Sequence, residues 1–332
     1  MEKRTFGKTG RQVSVIGQGC WQFGGDWGNV TDDTALKVLA AAVDGGVTLI
    51  DTADVYGDGH SEQLVGQFLK SRGGADAAGL TVITKMGRRA DPHVASAYCY
   101  DNFRAWLDRS RANLGMDQIQ LVQLHCPPTP VYANPQVYED LDRLVDEGVI
   151  AAYGVSVETV AEAMEALKHP GVATIQIICN ILRRKPLTTV LPAAASAGVG
   201  IIARVPLASG ILTGRFTKDT EFAPQDHRNF NRHGEAFDVG ETFSGVPYEA
   251  GLEAGAEVVR IADDLGCTAA QLALRWLIDQ PGITTVIPGA SRPDQATANA
   301  AAAGLPPLTP AVLAELEGVY DKYAAPYVAD KW

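Results

Sequence analysis

The sequence predicts an α/β fold of the TIM type, a (β/α)8 barrel, and three observations carry that reading. Short β-branched runs alternate with helix-like segments eight times over, and such alternation builds a parallel sheet that can close on itself. The first turn after a buried run, Gly19-Cys20-Trp21, holds no GxGxxG fingerprint, which argues against an open doubly wound sheet. The chain has 332 residues and is 46% hydrophobic, enough for one large core; barrels of ~250 residues and more form as one unit. Residues 1–332 are therefore read as a single barrel domain.

Each element follows in turn. Residues 1–12 precede the first buried run and are expected to form an N-terminal hairpin or plug at the barrel bottom. Strands are expected at 13–19, 47–51, 80–84, 119–124, 150–155, 174–178, 200–203 and 283–287, where β-branched runs lie between turn-forming residues. Helices are expected at 32–44, 62–71, 101–114, 135–146, 157–167, 187–197, 249–265, 269–279 and 293–301. Thr31 precedes Asp32-Asp33, and Thr268 is followed three residues later by Gln271, a capping-box spacing. Gly45-Gly46, Gly115, Gly148, Gly198 and Gly266 stand where helices should stop. One stretch breaks the rhythm. Residues 212–247, after strand 7, have little apolar periodicity and crowd His227, Arg228, Asn229, Asn231, Arg232 and His233 together. A loop this long in a compact domain reads as a lid or binding loop.

Composition removes several function classes. The net charge of −11 is the wrong sign for a nucleic-acid or anionic-membrane surface. Five widely spaced cysteines without a CxxC suit reduced thiols better than a disulfide framework or a zinc site. The first ten residues are polar, unlike a signal peptide, and no apolar run approaches the ~18 residues of a membrane span. A cytoplasmic protein is expected. Nothing in the composition selects between a monomer and a homo-oligomer.

The chemistry sits at strand ends, where barrel enzymes carry their catalytic groups. Asp51 ends the second strand and Tyr56 follows in the next loop; Lys85 ends the third strand and His125 the fourth. An acid, a phenol, an ammonium and an imidazole thus meet at one rim. Such a set can protonate a carbonyl oxygen while a hydride arrives at carbon. Tyrosine has a reference pKa near ~10, and a neighbouring ammonium favours its phenolate. Asp51 would keep Lys85 charged, and His125 would orient the carbonyl.

The local sequences Asp51-Thr-Ala-Asp-Val-Tyr56-Gly, Ile-Thr-Lys85 and Leu-His125 resemble the Asp/Tyr/Lys/His tetrad of the aldo-keto reductase superfamily. The style is that of its bacterial and potassium-channel-β-subunit-like branches. The resemblance runs from Arg4-Thr-Phe-Gly-Lys-Thr-Gly to the C-terminal helix. It implies metal-free, NADPH-dependent reduction of an aldehyde or ketone, with a small-molecule carbonyl or alcohol as the partner.

What the resemblance implies for cofactor binding extends along the later strands. Ser156 and Gln176 match the partners of the nicotinamide carboxamide, with Val157 where the family commonly has Asn. Arg204 stands where many members have an aromatic ring stacked on the nicotinamide. Its guanidinium plane can stack too, or it forms a plain salt bridge. Pro206, Leu207, Ser209, Gly210 and Leu212 belong to the following segment, whose small residues let backbone amides approach a pyrophosphate. Gly289, Ser291 and Arg292 lead into a helix start, a natural phosphate site, and favour NADPH over NADH. Gln295 and Asn299 match adenine-side positions, with Ala298 replacing the usual Glu.

On the substrate side, Trp21, Phe23 and Trp27 follow the first strand. With Tyr56, Met86 and Cys126 they would wall an apolar pocket, and Trp21 also borders the cofactor. Asp26, Asp58, His60 and the 227–233 loop could add polar contacts. A metal site made from Asp51, Asp54, Asp58, His60 and His125 is the hydrolase alternative; Lys85 would repel the cation. A cofactor-binding regulatory module of the channel-β-subunit kind is the non-catalytic alternative, but all four tetrad residues are present.

Overall fold

The computed structural model describes residues 1–25, 27, 28 and 30–332; Asp26 lies outside the described residues. Eight parallel strands run in chain order: β1 (Gln18–Gly19), β2 (Leu49–Asp51), β3 (Thr81–Met86), β4 (Leu121–His125), β5 (Tyr153–Ser156), β6 (Val172–Ile178), β7 (Gly200–Arg204) and β8 (Ile283–Val286). Each pairs with the next. The ring closes through parallel bridges Ile16↔Val286 and Gly19↔Gly289, with Gly19 N–H donating to Pro288 O at 3.0 Å. The barrel strands are buried throughout, as expected of a parallel sheet covered on both faces.

Helices surround the ring because each carries an apolar stripe. In Asp32–Asp44 the buried residues are Ala35, Val38, Leu39 and Ala42, spaced to share one helix face. Thr31 caps that helix through Thr34 N–H. Thr268 and Gln271 form the expected capping box on Ala269–Ile278. The helix expected at 157–167 starts later, at Val160–Ala166, because Thr159 and Glu162 form a capping box of their own. The final long helix is Pro310–Tyr323.

The expected strand at 13–19 divides. Gln12–Ser14 pairs antiparallel with Lys3–Thr5, and only Gln18–Gly19 joins the barrel sheet. The chain must leave one partner and turn into a second sheet, so one apolar run serves two ladders. The hairpin is the barrel's plug. Phe6 is fully buried in a cluster with Val13, Leu49, Ile83, Leu121, Ala173, Ile202 and Ile287. At Gly7, with φ +53°, an added Cβ would lie 2.0 Å from Ala173 O, so only glycine allows this approach.

Residues 212–247 are compact. They contain the short helix His227–Phe230 and two tight helical turns, Val239–Glu241 and Phe243–Gly245. Asp226, His227, Asn231, Glu241, Thr242, Phe243 and Ser244 are buried. Asn231 fixes the fold of the segment: its Oδ1 accepts from Ala236 N–H and Phe237 N–H, both at 2.9 Å. Among the described residues no helix is long and apolar enough to cross a membrane.

Candidate active site

A cavity of about 450 Å³ opens at the C-terminal ends of the strands. Asp51, Tyr56, His125 and Gln176 line one end; Ser291, Arg292, Gln295 and Asn299 line the other. Lys85 lies just behind the wall, 1% exposed. Its Nζ donates to Asp51 Oδ1 at 2.6 Å, to Thr52 O at 2.8 Å and to Tyr56 OH at 3.1 Å. The second Asp51 oxygen accepts from Gln176 Nε2 at 2.8 Å. His125 meets Tyr56 edge-on, ring centroids 5.8 Å apart. The four residues expected at one rim are brought together.

Electrostatics sorts their capabilities. Burial, the largest influence, raises the Tyr56 phenol; Lys85 pulls it down, and the net result is a value pushed up to about 12. This corrects the expectation that the ammonium would set the direction: a phenolate in a closed site loses more hydration than Lys85 returns. For Lys85, burial works against the charge, but Asp51 and then Tyr56 outweigh it and raise the value above that of ordinary lysine. Burial, aided by Arg88 and Lys85, holds His125 well below the usual imidazole range. At neutral pH the site therefore presents a protonated phenol and a neutral imidazole. His125 Nδ1 is buried without a hydrogen-bond partner among the described residues.

The expected cofactor residues divide between the wall and the layer behind it. Trp21, Gln176, Arg204, Pro206, Leu207, Ser209, Gly210, Gly289, Ser291, Arg292, Gln295 and Asn299 line the cavity. Ser156 is buried beside Cys126, Oγ to Sγ 3.5 Å, and Leu212 is in the hydrophobic core. Val205, Ala208, Ser209 and Gly210 all have positive φ, a strained train that turns backbone toward the cavity. A Cβ on Gly289 would collide with the Gln22 amide at about 2.0 Å, so the wall comes close there as well. At the far end Ser291 Oγ donates to Gln295 Oε1 at 3.1 Å. Arg292, half-exposed at the start of Pro293–Ala301, pairs with Asp294. This end suits an anion, and the cavity suits an extended ligand with a phosphate at one end and a reacting ring at the other.

Arg204 has the ionic environment foreseen as its plainer alternative. Its guanidinium contacts Glu158 Oε2 at 2.9 Å and Glu241 Oε1 at 3.4 Å while still facing the cavity. Arg88 completes the cluster, 2.8 Å from Glu241 and 3.4 Å from Glu158. Burial lifts Glu158 well above the carboxylate range despite Arg204. Burial also opposes charge on Glu241, but Arg88 and Arg204 outweigh it and keep that carboxylate ionised. The sequence reading did not place Arg88, Glu158, Glu241, Gln22, Arg215 or Thr268 at the site. Glu158 lies two residues from Ser156 and Arg88 three from Lys85, a proximity that could have marked them. Glu241 carries no local signal.

The substrate-side expectations fare unevenly. Trp21 and Trp27 line the cavity and meet edge-on at 5.4 Å; Trp21 stacks along Tyr56 at 6.0 Å. Phe23 and Met86 are in the hydrophobic core. Consecutive strand residues face opposite ways, so an inward Lys85 turns Met86 outward. Cys126 lies behind the wall, its thiol 3.6 Å from Arg204 Nη2. Asp58 pairs with Arg89 and Arg109, and His60 with Asp32. The imagined carboxylate-imidazole metal set is therefore dispersed. Among the described residues, the Cys/His/Asp/Glu grouping close enough for one ion is Cys126, Glu158 and Glu241, and Arg88 and Arg204 already neutralise it.

Asp54, inside the same Asp51–Tyr56 stretch, is buried, and neither carboxylate oxygen has a hydrogen-bond partner among the described residues. Burial, then Glu62, raises it to about 8, with Arg109 opposing. The folded chain thus holds a proton that the unfolded chain releases near the ordinary value of 3.8. Its stabilising share is full below that value and is lost as pH rises toward about 8. Asp54→Asn should flatten this slope. In urea titrations, wild type is expected to lose about 1–3 kcal/mol more than the variant between mildly acidic and mildly alkaline pH. Parallel slopes would contradict it.

Comparisons with known proteins agree with this arrangement. The model of the aldo/keto reductase family matches residues 15–321. The aldo-keto reductase YhdN of Bacillus subtilis is 31% identical over 301 residues, covering 89% of this chain and 86% of the relative. A probable voltage-gated potassium channel subunit beta of Arabidopsis thaliana is 29% identical, covering 96% of each chain. Among solved structures, an aldo-keto reductase from Klebsiella pneumoniae in complex with NADPH superposes with a TM-score of 0.71 at 25% identity, covering 96% of both chains.

Proposed function

The chain belongs to the aldo/keto reductase family, and from that premise we propose that it reduces an aldehyde or ketone to the alcohol at the Tyr56 end of the cavity, using NADPH. The substrate is a sugar, aromatic or other small carbonyl compound. The 332 residues act as one NADP-dependent barrel domain in the cytoplasm. The observation that carries the reading is the Lys85 ammonium, held at 2.6 Å from Asp51 and 3.1 Å from Tyr56, with His125 beside the phenol.

NADPH, when bound, supplies the hydride that reaches the carbonyl carbon. Tyr56 gives its proton to the carbonyl oxygen as that oxygen gains charge, and recovers a proton from solvent after turnover. A phenol raised to about 12 remains protonated at neutral pH and still yields its proton to an alkoxide, the stronger base. Lys85 stabilises the phenolate left behind. Neutral His125 orients the carbonyl by a hydrogen bond, a task that needs no imidazolium. Gln176, with Ser156 behind it, would hold the carboxamide, Arg204 would flank the nicotinamide, and the Ser209–Gly210 turn would meet the pyrophosphate. Ser291 and Arg292 would take the 2′-phosphate, with Gln295 and Asn299 at the adenine.

The test is NADPH oxidation followed by absorbance over aromatic aldehydes, keto-sugars, α-dicarbonyls and steroid ketones, with NADH alongside. NADPH turnover is expected. Arg292→Ala should raise the KM for NADPH about tenfold and leave that for NADH unchanged, as loss of one charge-assisted contact predicts. Equal effects on both cofactors would remove Arg292 from the phosphate site. The likeness to a channel β-subunit favours a second reading, a cofactor-binding regulatory module; NADPH binding without turnover on any carbonyl would support it.

A further inference from the structure

Trp332 lies outside the cavity wall, yet it grips the segment that reaches into the site. Its indole Nε1 donates to both Asp238 oxygens, at 2.9 and 3.0 Å. The Arg183 guanidinium stacks 3.7 Å over the ring, and Trp332 O accepts from Val160 N–H at 2.7 Å. Two glycines admit this contact. A Cβ on Gly240 would lie 3.0 Å from the indole, and one on Gly245 2.4 Å from it. Asp238 in turn caps the turn Val239–Glu241 by accepting from Gly240 N–H at 2.7 Å.

The last residue of that turn is Glu241, whose carboxylate meets Arg88 at 2.8 Å. Arg88 and Glu241 both line the cavity with His125 and Tyr56. Glu241 is therefore a counter-ion whose position is set from the back of the loop. Held in place, it occupies the Arg88 guanidinium, which lines the cavity. Displaced, it would leave Arg88 with only its longer 3.4 Å contact to Glu158 and open the guanidinium to the cavity, where it binds a ligand carboxylate by a charge-assisted pair.

We propose that Trp332 is a specificity-determining positioning residue: by clasping Asp238 it keeps Glu241 on Arg88 and biases the site toward uncharged carbonyl compounds over anionic ones. This rests on the reductase reading above. Its effect passes through Asp238 and Glu241, so Trp332 itself touches no substrate.

The test compares benzoate with benzamide, ligands of one shape and different charge, by calorimetric titration of the full chain with and without NADP+. Wild type, Trp332→Ala and Glu241→Gln are measured together. The ratio of benzoate to benzamide affinity is expected to rise about tenfold in both variants, the scale of one charged hydrogen bond gained. A ratio raised in Glu241→Gln but unchanged in Trp332→Ala overturns the clasp. A ratio unchanged in both overturns the Arg88–Glu241 pairing as the selector. Should Trp332→Ala not fold, Trp332→Phe keeps a ring under Arg183 and removes only the N–H; a raised ratio supports the clasp and an unchanged one overturns it. The titration needs no turnover, so failure of the reductase reading, seen as absent NADPH oxidation, stays separate.

Discussion

Tyr56→Phe is expected to lower carbonyl reduction about 10²–10⁴-fold, the usual worth of a positioned general acid, while cofactor affinity stays at the wild-type level. The substitution deletes one oxygen and keeps the ring that stacks along Trp21 at 6.0 Å, so the cavity keeps its shape. No neighbouring group can take over the proton. His125 is held well below the ordinary imidazole range by burial, Arg88 and Lys85, and the Lys85 ammonium is buried behind the phenol it serves. The loss should fall on kcat, because the proton is needed only as charge develops. Single-turnover reduction with preloaded NADPH checks this. Turnover retained within a few-fold would transfer the acid role away from Tyr56.

Lys85→Met should unfold more readily as well as react more slowly. Lys85 and Asp51 form a buried ion pair at 2.6 Å, their side chains 1% and 3% exposed. Removing one partner leaves a carboxylate in a nearly dry site, at a cost of about 3–5 kcal/mol. Gln176 still donates to Asp51 and softens the loss. The folded Lys85 value lies above that of ordinary lysine. Its stabilising share is therefore complete at neutral pH and is lost only as pH rises through that folded value. The gap in urea stability between wild type and variant should be constant near neutrality and close only in strong alkali. A variant as stable as wild type at neutral pH would mean that water reaches Asp51.

The tetrad was legible because it is local. Asp51 ends β2 with Tyr56 five residues on in the loop after it, and Lys85 and His125 mark strand ends that β-branched runs announce. The helix starts at Asp32, Pro135, Ala269 and Pro293 were equally plain, since caps and proline are short-range signals. What escaped was non-local. Arg88 and Glu241 are 153 positions apart, and Glu241 sits in a segment with no periodicity to read. Phe23 and Met86 are apolar beside the site, but apolarity alone does not say which face of a strand end a side chain takes. The direction of the Tyr56 shift depended on burial, which a list of neighbouring charges does not contain.

Asp51 has a further consequence. Each of its oxygens is already engaged, one by Lys85 Nζ and the other by Gln176 Nε2. A carboxylate can serve both clients at once, whereas an asparagine has one acceptor oxygen and must disappoint one of them. The proposed proton donor and the proposed carboxamide seat are thereby geared to a single side chain. The gearing asks for an anion at this position and not merely for a polar residue of the same size.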